Sequence, residues 1–184
     1  LLDGRLSTTF SLFRLNRTNV RDTDPATNQL ATIGTRRTDG FEWSLSGELA
    51  PGLRAIMGYA FLDAKVTRSP SRNDGQPVQG KRSTLTPRHA ANFWITKDLN
   101  GGFGVGAGAN LVASRYANAG NTVRLPGYVT ADAAAWWRQG PWGVQLNVYN
   151  ITDARYIVSS HGANGNMNLP GAPRNVMLKL SYRM

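Results

Sequence analysis

Basic side chains are the residues best suited to chemistry in this sequence, because a group of them falls in segments polar enough to be loops. Guanidinium and ammonium groups gathered in one region attract anions, and guanidinium binds carboxylate and phosphate with paired hydrogen bonds. The formal net charge of +10 also indicates an anionic partner. The basic residues of these segments are Arg17, Arg21, Arg68, Arg72, Lys81, Arg82 and Arg124, with Arg115, Arg155 and Arg174 nearby.

We predict that a subset of these side chains binds an anionic ligand, with ordinary solvated loop charge as the alternative. His161 lies in a Gly/Asn-rich segment and is included, although a plain loop histidine is its alternative interpretation. The predicted ligand-binding residues are Arg68, Arg72, Lys81, Arg82, Arg115, Arg124, Arg155 and His161.

No catalytic or metal-binding pattern accompanies these residues. The chain has no cysteine, which excludes disulfides, thiolate metal sites and cysteine nucleophiles. His89 and His161 lack the spacing of a zinc site, and no Ser-His-Asp arrangement is recognisable. The glycines from Gly102 onward lie in a strand-like segment and do not form a dinucleotide loop. We therefore expect no enzymatic activity, no bound metal and no cofactor.

The segments between the loops alternate apolar and polar residues with a period of two, which predicts β-strands. From Phe103 to Leu111 every second residue is apolar, and the intervening residues are small or polar. Eight strands are predicted, near residues 4–16, 31–49, 53–66, 88–98, 103–116, 127–138, 142–156 and 174–184. The charged residues predicted on the polar face are Glu42, Glu48, Asp132, Lys179 and Arg183.

Strand length and loop order indicate a transmembrane β-barrel. Several strands reach the roughly 9–11 residues that cross a bilayer at a tilt, and no run of 18 apolar residues predicts a membrane helix. Short turns at 50–52, 100–102 and 140–141 alternate with long polar loops near 17–30, 67–87, 117–126 and 157–173. Bacterial outer-membrane barrels combine short periplasmic turns with long extracellular loops in this way.

The bilayer supplies the physical reason for the two faces. Hydrocarbon cannot satisfy backbone hydrogen bonds, so a spanning sheet must close on itself, and a lipid-facing charge near the midplane costs about 2–4 kcal/mol. The mean hydropathy of −0.35 fits strands in which only alternate residues face lipid. We expect Trp136, Trp137 and Trp142 in an aromatic girdle at the periplasmic rim, and Met184 facing outward. Membrane lipid and lipopolysaccharide are then partners, and lipopolysaccharide phosphates are another explanation for the loop charge.

Residues 146–156, with the sequence LNVYNITDARY, resemble the penultimate-strand motif of TonB-dependent receptors, Asn-x-x-Asn-hydrophobic-x-Asp followed by Tyr. Residues 170–174, PGAPR, resemble the entry to that family's last strand. Segments at 40–42, 58–64, 86–89 and 125–128 resemble the family's earlier barrel strands in the same order. The motif positions, to which the resemblance gives a structural role, are Asn147, Asn150, Asp153, Tyr156, Pro173 and Arg174.

The resemblance implies an all-β fold, in which residues 1–184 supply about eight up-and-down antiparallel strands of a transmembrane barrel with roughly 22 strands. Because the chain starts at Leu1 without Met, we expect the plug domain and the signal peptide to lie outside it. Members take up ferric siderophores through the Gram-negative outer membrane with energy passed through TonB, which contacts the N-terminal part. The segment around Ser159 and His161 resembles the catecholate siderophore branch. Members usually end in Phe, so the final Met184 predicts a weaker assembly signal.

Two other classes of function remain open. A complete eight-stranded barrel with a structural or enzymatic role could close and fill with side chains, and it would need a signal peptide just before Leu1. A basic soluble β-protein that binds nucleic acid would gather its charge on one face beside stacking aromatics. Here a group of the basic residues falls in loops, while the aromatics fall on the apolar face or at the rims, so we expect no nucleic-acid partner.

Overall fold

The computed structural model describes residues 4–24, 27–161 and 167–183. Within these ranges the chain is built from β-strands and a single turn of 3₁₀ helix at Asn100–Gly102, and the predicted all-β class is confirmed. The strands are β1 (Leu6–Asp24), β2 (Gln29–Ala50), β3 (Leu53–Arg68), β4 (Arg72–Asn73), β5 (Gln76–Pro77), β6 (His89–Asp98), β7 (Phe103–Val112), β8 (Arg115–Tyr116), β9 (Arg124–Leu125), β10 (Tyr128–Gln139), β11 (Trp142–Tyr149), β12 (Ile157–His161), β13 (Met167–Pro170) and β14 (Asn175–Tyr182).

Eight of the strands form one antiparallel sheet in chain order, β1-β2-β3-β6-β7-β10-β11-β14. The short hairpins β4–β5, β8–β9 and β12–β13 lie in the connections between its longer strands. Over the described residues, β1 and β14 occupy the two edges of the sheet. The chain therefore forms an open wall of eight strands, which does not match a small barrel closed by these strands alone.

The two faces of the wall differ in polarity, as the alternation predicts. Register aligns Phe93, Ala109 and Ala131 on one face, and Asn92, Asn110 and Thr130 on the other. Glu42, Glu48, Asp132 and Lys179 lie on the polar face, as predicted. Large apolar side chains stand exposed on the opposite face, among them Phe10, Leu12, Phe103, Val105, Leu111, Val129, Leu146, Val176, Leu178 and Leu180. A contiguous apolar surface of this kind marks contact with lipid or protein.

Most of the buried apolar residues in the described ranges lie at the loop end, and Leu6, Ala55 and Ala134 are the ones buried elsewhere in the wall. Ala64, Val66, Val78, Ala117 and Leu125 are all buried near the ends of strands or in the connections between them. The wall is a single layer, so its strand residues keep one face toward the surroundings. None of the helical structure in the described residues is long and apolar enough to cross a membrane.

The first connection differs from its prediction as a long loop at 17–30. β1 continues to Asp24 and β2 begins at Gln29, so the two strands form an extended hairpin. Asn19 has a φ of 54° at a register shift, which marks a β-bulge. Polar residues on both faces suggested a loop, but a hairpin that projects beyond hydrocarbon meets water on both faces.

Two other strands are shorter than predicted. The fifth sheet strand ends at Val112 instead of residue 116, and the seventh ends at Tyr149 instead of residue 156. Asn150 follows Tyr149 with a φ of 49°, which breaks the extended conformation. The apolar alternation itself stops near both ends, since polar Asn150 takes the next apolar-face position after Val148, so the predicted bounds overestimated the strand lengths.

The opposite end of the wall carries the predicted short turns. Gly102 has a φ of 79°, and a side chain there would overlap the carbonyl oxygen of Arg138. Trp137 and Trp142 lie on the apolar face at this end, as a girdle requires. Trp136 does not join them, because strand alternation places it on the polar face, where it packs over Gly104. Met184 lies outside the described residues.

Candidate functional site at the loop end

The motif at 147–156 forms a tight turn where β11 ends. Asn150 is 3% exposed, and its Nδ2 donates to the carbonyl oxygens of Ala154 and Ala172, both at 3.0 Å. Its Oδ1 accepts the N–H of Ala154 at 2.9 Å, and its own N–H donates to Asp132 at 2.7 Å. One side chain therefore joins the end of β11 to the approach of β14, while its backbone joins β10. Asn suits this position because its amide can both donate and accept and it tolerates the left-handed conformation.

The other motif residues strengthen the same connection. Asp153 Oδ1 accepts the N–H of Arg174 at 2.9 Å. The ring of Tyr156 lies where a side chain on residue 171 would be, so only Gly171 fits beneath it. The Gly171 N–H donates to the carbonyl oxygen of Tyr156 at 2.8 Å. This geometry agrees with the structural role that the resemblance implies.

Asn147 and Pro173 lie at the ends of this turn. Asn147 is buried in β11, and its Oδ1 accepts a hydrogen bond from Gln145 Nε2 at 2.8 Å. Pro173 is exposed just before β14, and its carbonyl oxygen accepts from Asn175 at 3.1 Å. Both residues therefore contribute to the shape of the strand ends.

Asparagine side chains join two long loops that are far apart in sequence. Asn118 Nδ2 donates to Asp74 at 2.7 Å, and its Oδ1 accepts the backbone N–H of Thr122 at 3.1 Å. Asn121 Oδ1 accepts the N–H of Arg82 at 2.8 Å, and its Nδ2 donates to the Arg82 carbonyl oxygen at 3.0 Å. Each asparagine satisfies backbone or side-chain groups of both loops, so the loops form one packed unit.

The extended β1–β2 hairpin is tied to this unit through Asp22. The hydroxyl of Ser71 donates to Asp22, and its oxygen lies 3.2 Å from the carbonyl oxygen of Thr23. Burial alone would raise the pKa of Asp22, but hydrogen bonds from Ser69, Ser71 and the Thr23 N–H hold that pKa below its usual value. The carboxylate is therefore the form that stabilises the contact.

Among the predicted ligand-binding residues whose side chains the structure describes, Arg115 is the most buried. It is 3% exposed, and its Nη2 donates to the carbonyl oxygens of Ile157 and Val158, each at 2.6 Å. Its guanidinium carbon lies 5.6 Å from the centre of the Tyr128 ring. Its Nη1 is buried without a hydrogen-bond partner in the part of the chain that the structure describes. Arg115 thus anchors β12 to the β8–β9 hairpin.

The other predicted residues surround this unit in varied environments. Arg72 is exposed and donates to the Gly75 carbonyl oxygen at 2.8 Å, while Arg124 donates to Ser114 Oγ at 3.0 Å through its Nε. Lys81 and Arg82 are half-buried, and Arg82 lies over the Tyr116 ring at 5.7 Å. The side chain of His161 lies outside the described residues. Arg68 and Arg155 are exposed. The structure brings Arg115 and Arg124 into one hairpin, and a shared ligand remains a prediction.

Sequence reasoning missed the asparagines that organise the loops. Asn118 is buried and Asn121 has a φ of 58°, yet both belong to a polar segment that looks like an ordinary loop. The available signal was the asparagine-glycine content of residues 117–121, because these residue types favour turns with side-chain hydrogen bonds. In the described residues, no group of three or more His, Asp or Glu side chains is placed to hold a metal ion.

An amphipathic antiparallel wall with tight turns at one end and packed loops at the other defines part of an outer-membrane β-barrel. The family described as TonB dependent receptor-like, beta-barrel matches residues 1–151. The chain belongs to this family, and its location in the Gram-negative outer membrane is confirmed.

Three relatives illustrate the similarity. The metal-pseudopaline receptor CntO of Pseudomonas aeruginosa is 33% identical over 98% of this chain and 26% of its own length. The catecholate siderophore receptor Fiu of Escherichia coli K12 is 33% identical over 97% of this chain and 23% of its own. The crystal structure of the siderophore receptor PiuA from Acinetobacter baumannii superposes with a TM-score of 0.88 at 29% identity, over 99% of this chain and 26% of that one. The chain therefore spans about a quarter of the length of these relatives.

Proposed function

We propose that the whole protein is a TonB-dependent receptor for active uptake of a ferric siderophore. The observation that carries this proposal is the family match over residues 1–151, together with relatives whose names describe siderophore and metal-chelate receptors. In this proposal the chain contributes part of the barrel wall and several extracellular loops. It catalyses no reaction and holds no resident cofactor, and the ferric siderophore is cargo.

The charge of the loop end supports an anionic cargo. Arg68, Arg72, Arg124 and Arg155 are exposed there, and positive potential at the mouth of a barrel concentrates anions and raises their association rate. Arginine is suited to carboxylate and phenolate oxygens because it donates several hydrogen bonds in a fixed plane. Arg115 acts differently, since it is buried and holds the backbone of Ile157 and Val158 close to the exposed Arg155 in sequence.

A catecholate is the cargo class that we propose. Fiu is described as a catecholate siderophore receptor, and the segment around Ser159 carried the same resemblance in the sequence. CntO is as similar overall and is described by another chelate, so the overall identity does not distinguish the two classes. The proposed energy source is the TonB complex, which would contact the N-terminal part of the whole protein.

Uptake of a radiolabelled ferric catecholate by intact cells tests the proposal. Cells that express the whole protein should accumulate iron, whereas a deletion strain and cells treated with a proton uncoupler should not. A parallel assay with a labelled metal-pseudopaline complex tests the cargo class. Equal iron accumulation in the deletion strain would contradict the transport proposal, and uptake of only the second complex would contradict the catecholate assignment.

The exposed arginines are tested by a triple variant, Arg68→Gln, Arg72→Gln and Arg124→Gln. Charged hydrogen bonds contribute about 1.5–3 kcal/mol each, so loss of even one ligand contact should weaken ferric-siderophore binding by roughly tenfold or more. The matched control is Arg138→Gln, Lys179→Gln and Arg183→Gln on the polar face at the turn end, which removes the same charge. Binding to whole cells, measured by titration, should fall only for the first variant. If both triple variants bind the ferric siderophore with equal affinity, the loop arginines are not ligand contacts.

A further inference from the structure

A cluster of six charged side chains lies on the outward face of the wall, five of them on β1, β2 and β3 and one just before β6. Arg14 Nε lies 2.5 Å from one oxygen of Asp39, and Arg37 Nε lies 3.2 Å from the other. Asp63 is shared in the same way, because Lys65 Nζ lies 2.7 Å from one oxygen and Arg88 Nη2 lies 3.1 Å from the other. The six residues, Arg14, Arg37, Asp39, Asp63, Lys65 and Arg88, form the outward charged cluster.

Strand register determines which way this cluster faces. Arg14, Asp39 and Asp63 are aligned across three neighbouring strands. Leu12 precedes Arg14 by two positions and Phe41 follows Asp39 by two, and Leu12 is 84% exposed on the apolar face. Because side chains two apart in a strand point the same way, the cluster continues the apolar surface toward the loop end.

An aromatic row separates the cluster from the apolar surface. Ring centroids of Phe10 and Phe41 are 6.2 Å apart, those of Phe41 and Tyr59 are 6.1 Å apart, and those of Phe61 and His89 are 5.2 Å apart. Rows of aromatic side chains mark the level at which barrels pass from hydrocarbon to headgroups. The outward charged cluster therefore lies at headgroup level on the side of the long loops, which is the outer leaflet.

The cluster retains capacity to bind an anion. Four cations share two carboxylates, which leaves a net charge of +2, and each basic side chain remains 39–63% exposed. Bridging carboxylates hold the guanidinium groups in place but use only part of their donors. Exposed ion pairs add little to stability, so their contribution to folding does not explain the excess of positive charge at this level.

We propose that the outward charged cluster binds the phosphorylated glycolipid of the surrounding outer leaflet. Its phosphates would accept hydrogen bonds from Arg14, Arg37, Lys65 and Arg88, while its acyl chains would lie against the aromatic row and the exposed Leu12. Charge complementarity and the position beside the aromatic row support a lipid occupant over a soluble one. This lipid site is separate from the proposed cargo site. The loops proposed to bind cargo lie at the barrel mouth, whereas the outward charged cluster lies on the outside of the wall.

The test uses the whole protein purified from outer membranes and then reconstituted in nanodiscs. Arg14→Gln with Arg37→Gln removes two charges from the cluster, and Arg138→Gln with Lys179→Gln removes two from the polar face as the matched control. Bound lipopolysaccharide per receptor is measured by native mass spectrometry, and affinity by titration with purified lipopolysaccharide. Gel mobility with and without heating confirms that each variant is folded. Arg14→Lys with Arg37→Lys keeps the charge and provides a second variant.

Each basic residue near an anionic lipid surface contributes about a factor of five to its attraction, so the double Gln variant should bind lipopolysaccharide roughly 30-fold more weakly. The control pair should bind as tightly as the unmodified protein, and the Lys pair should retain most of the affinity. Unchanged affinity in the Gln variant, or an equal fall in the control, would overturn the proposal. Equally tight and equally Arg14-dependent binding to phosphatidylglycerol nanodiscs would overturn the assignment to glycolipid.

Discussion

The two ends of the wall are built in different ways. At the turn end, two or three residues reverse the chain and the contacts are local or between adjacent strands, such as the 2.8 Å bond from the Asp98 N–H to the Gly52 carbonyl oxygen. At the loop end, side chains join residues distant in sequence, as Asn118 joins Asp74 and Arg115 joins Ile157. The comparison shows that long loops with only short hairpins can be ordered when a few polar side chains satisfy their backbone.

Replacing Asn150 should have the largest effect. Asn150→Ala removes three buried hydrogen bonds and puts a less suited residue in the left-handed conformation, for an expected loss of about 3–4 kcal/mol. The measurement is urea unfolding of the whole protein in lipid, followed by gel mobility. Asn100→Ala in an exposed turn at the opposite end is the control and should change stability by less than about 0.5 kcal/mol. Comparable losses at both ends would refute the contrast between them.

Arg115 should matter next. Arg115→Gln removes the donors that satisfy Ile157 and Val158, and a buried carbonyl left unsatisfied costs about 1–3 kcal/mol. We expect faster protease cleavage in the connection between β11 and β14, with the sheet itself intact. Arg155→Gln, which alters an exposed arginine in the same connection, is the comparison. Protection that persists in the Arg115 variant would show that other contacts hold this loop.

Glycine substitutions at the two ends of the wall should cause stability losses of intermediate size. Gly102→Ala at the turn end meets both a positive φ and the Arg138 carbonyl oxygen, whereas Gly75→Ala in the β4–β5 hairpin meets a positive φ in open space. The first change should therefore cost about 2 kcal/mol or more and the second about 1 kcal/mol. Urea midpoints of the two variants measure the difference. Equal midpoints would mean that the close backbone approach at Gly102 relaxes without cost.

The smallest expected effect is the pH dependence of the hairpin contact at Asp22. Its pKa is lower in the folded protein than in the unfolded chain, so the contribution of this group to stability is present above the unfolded pKa. That contribution is lost as pH falls through the folded pKa. Hydrogen exchange at the β1–β2 tip should therefore increase in acid. Asp22→Asn should reduce this increase in hydrogen exchange. An identical pH profile in the variant would show that other groups cause the pH dependence.

Much of the wall could be predicted from the order of residue types. Alternation from Phe103 to Leu111 assigned both faces of the sheet. The glycine-containing turns at 50–52, 100–102 and 140–141 located the hairpins at the turn end. The same reasoning failed at Trp136, which was grouped with its neighbours although strand geometry turns it to the other face. It also failed at residues 17–30, because a polar segment outside the membrane can be either strand or loop.

The candidate site was only partly predictable. The motif at Asn150 was found through its resemblance to a family, and its hydrogen bonds explain why these residue types occur at that spacing. The basic residues were found by their charge, but charge alone did not distinguish buried Arg115 from exposed Arg155. That distinction depends on which loops pack together.

The order of residue types by itself determined the strands, their two faces and the tight turns, because each depends on neighbours a few positions apart and on a bilayer that accepts only apolar side chains. Tertiary structure alone decided which loop residues are buried and which cations share Asp39 and Asp63 on the outward face. The contacts that decide them include ones between residues 25 to 44 positions apart, such as those of Arg14 with Asp39 and of Asn118 with Asp74. No local pattern encodes such contacts, because they exist only once the sheet aligns the strand ends.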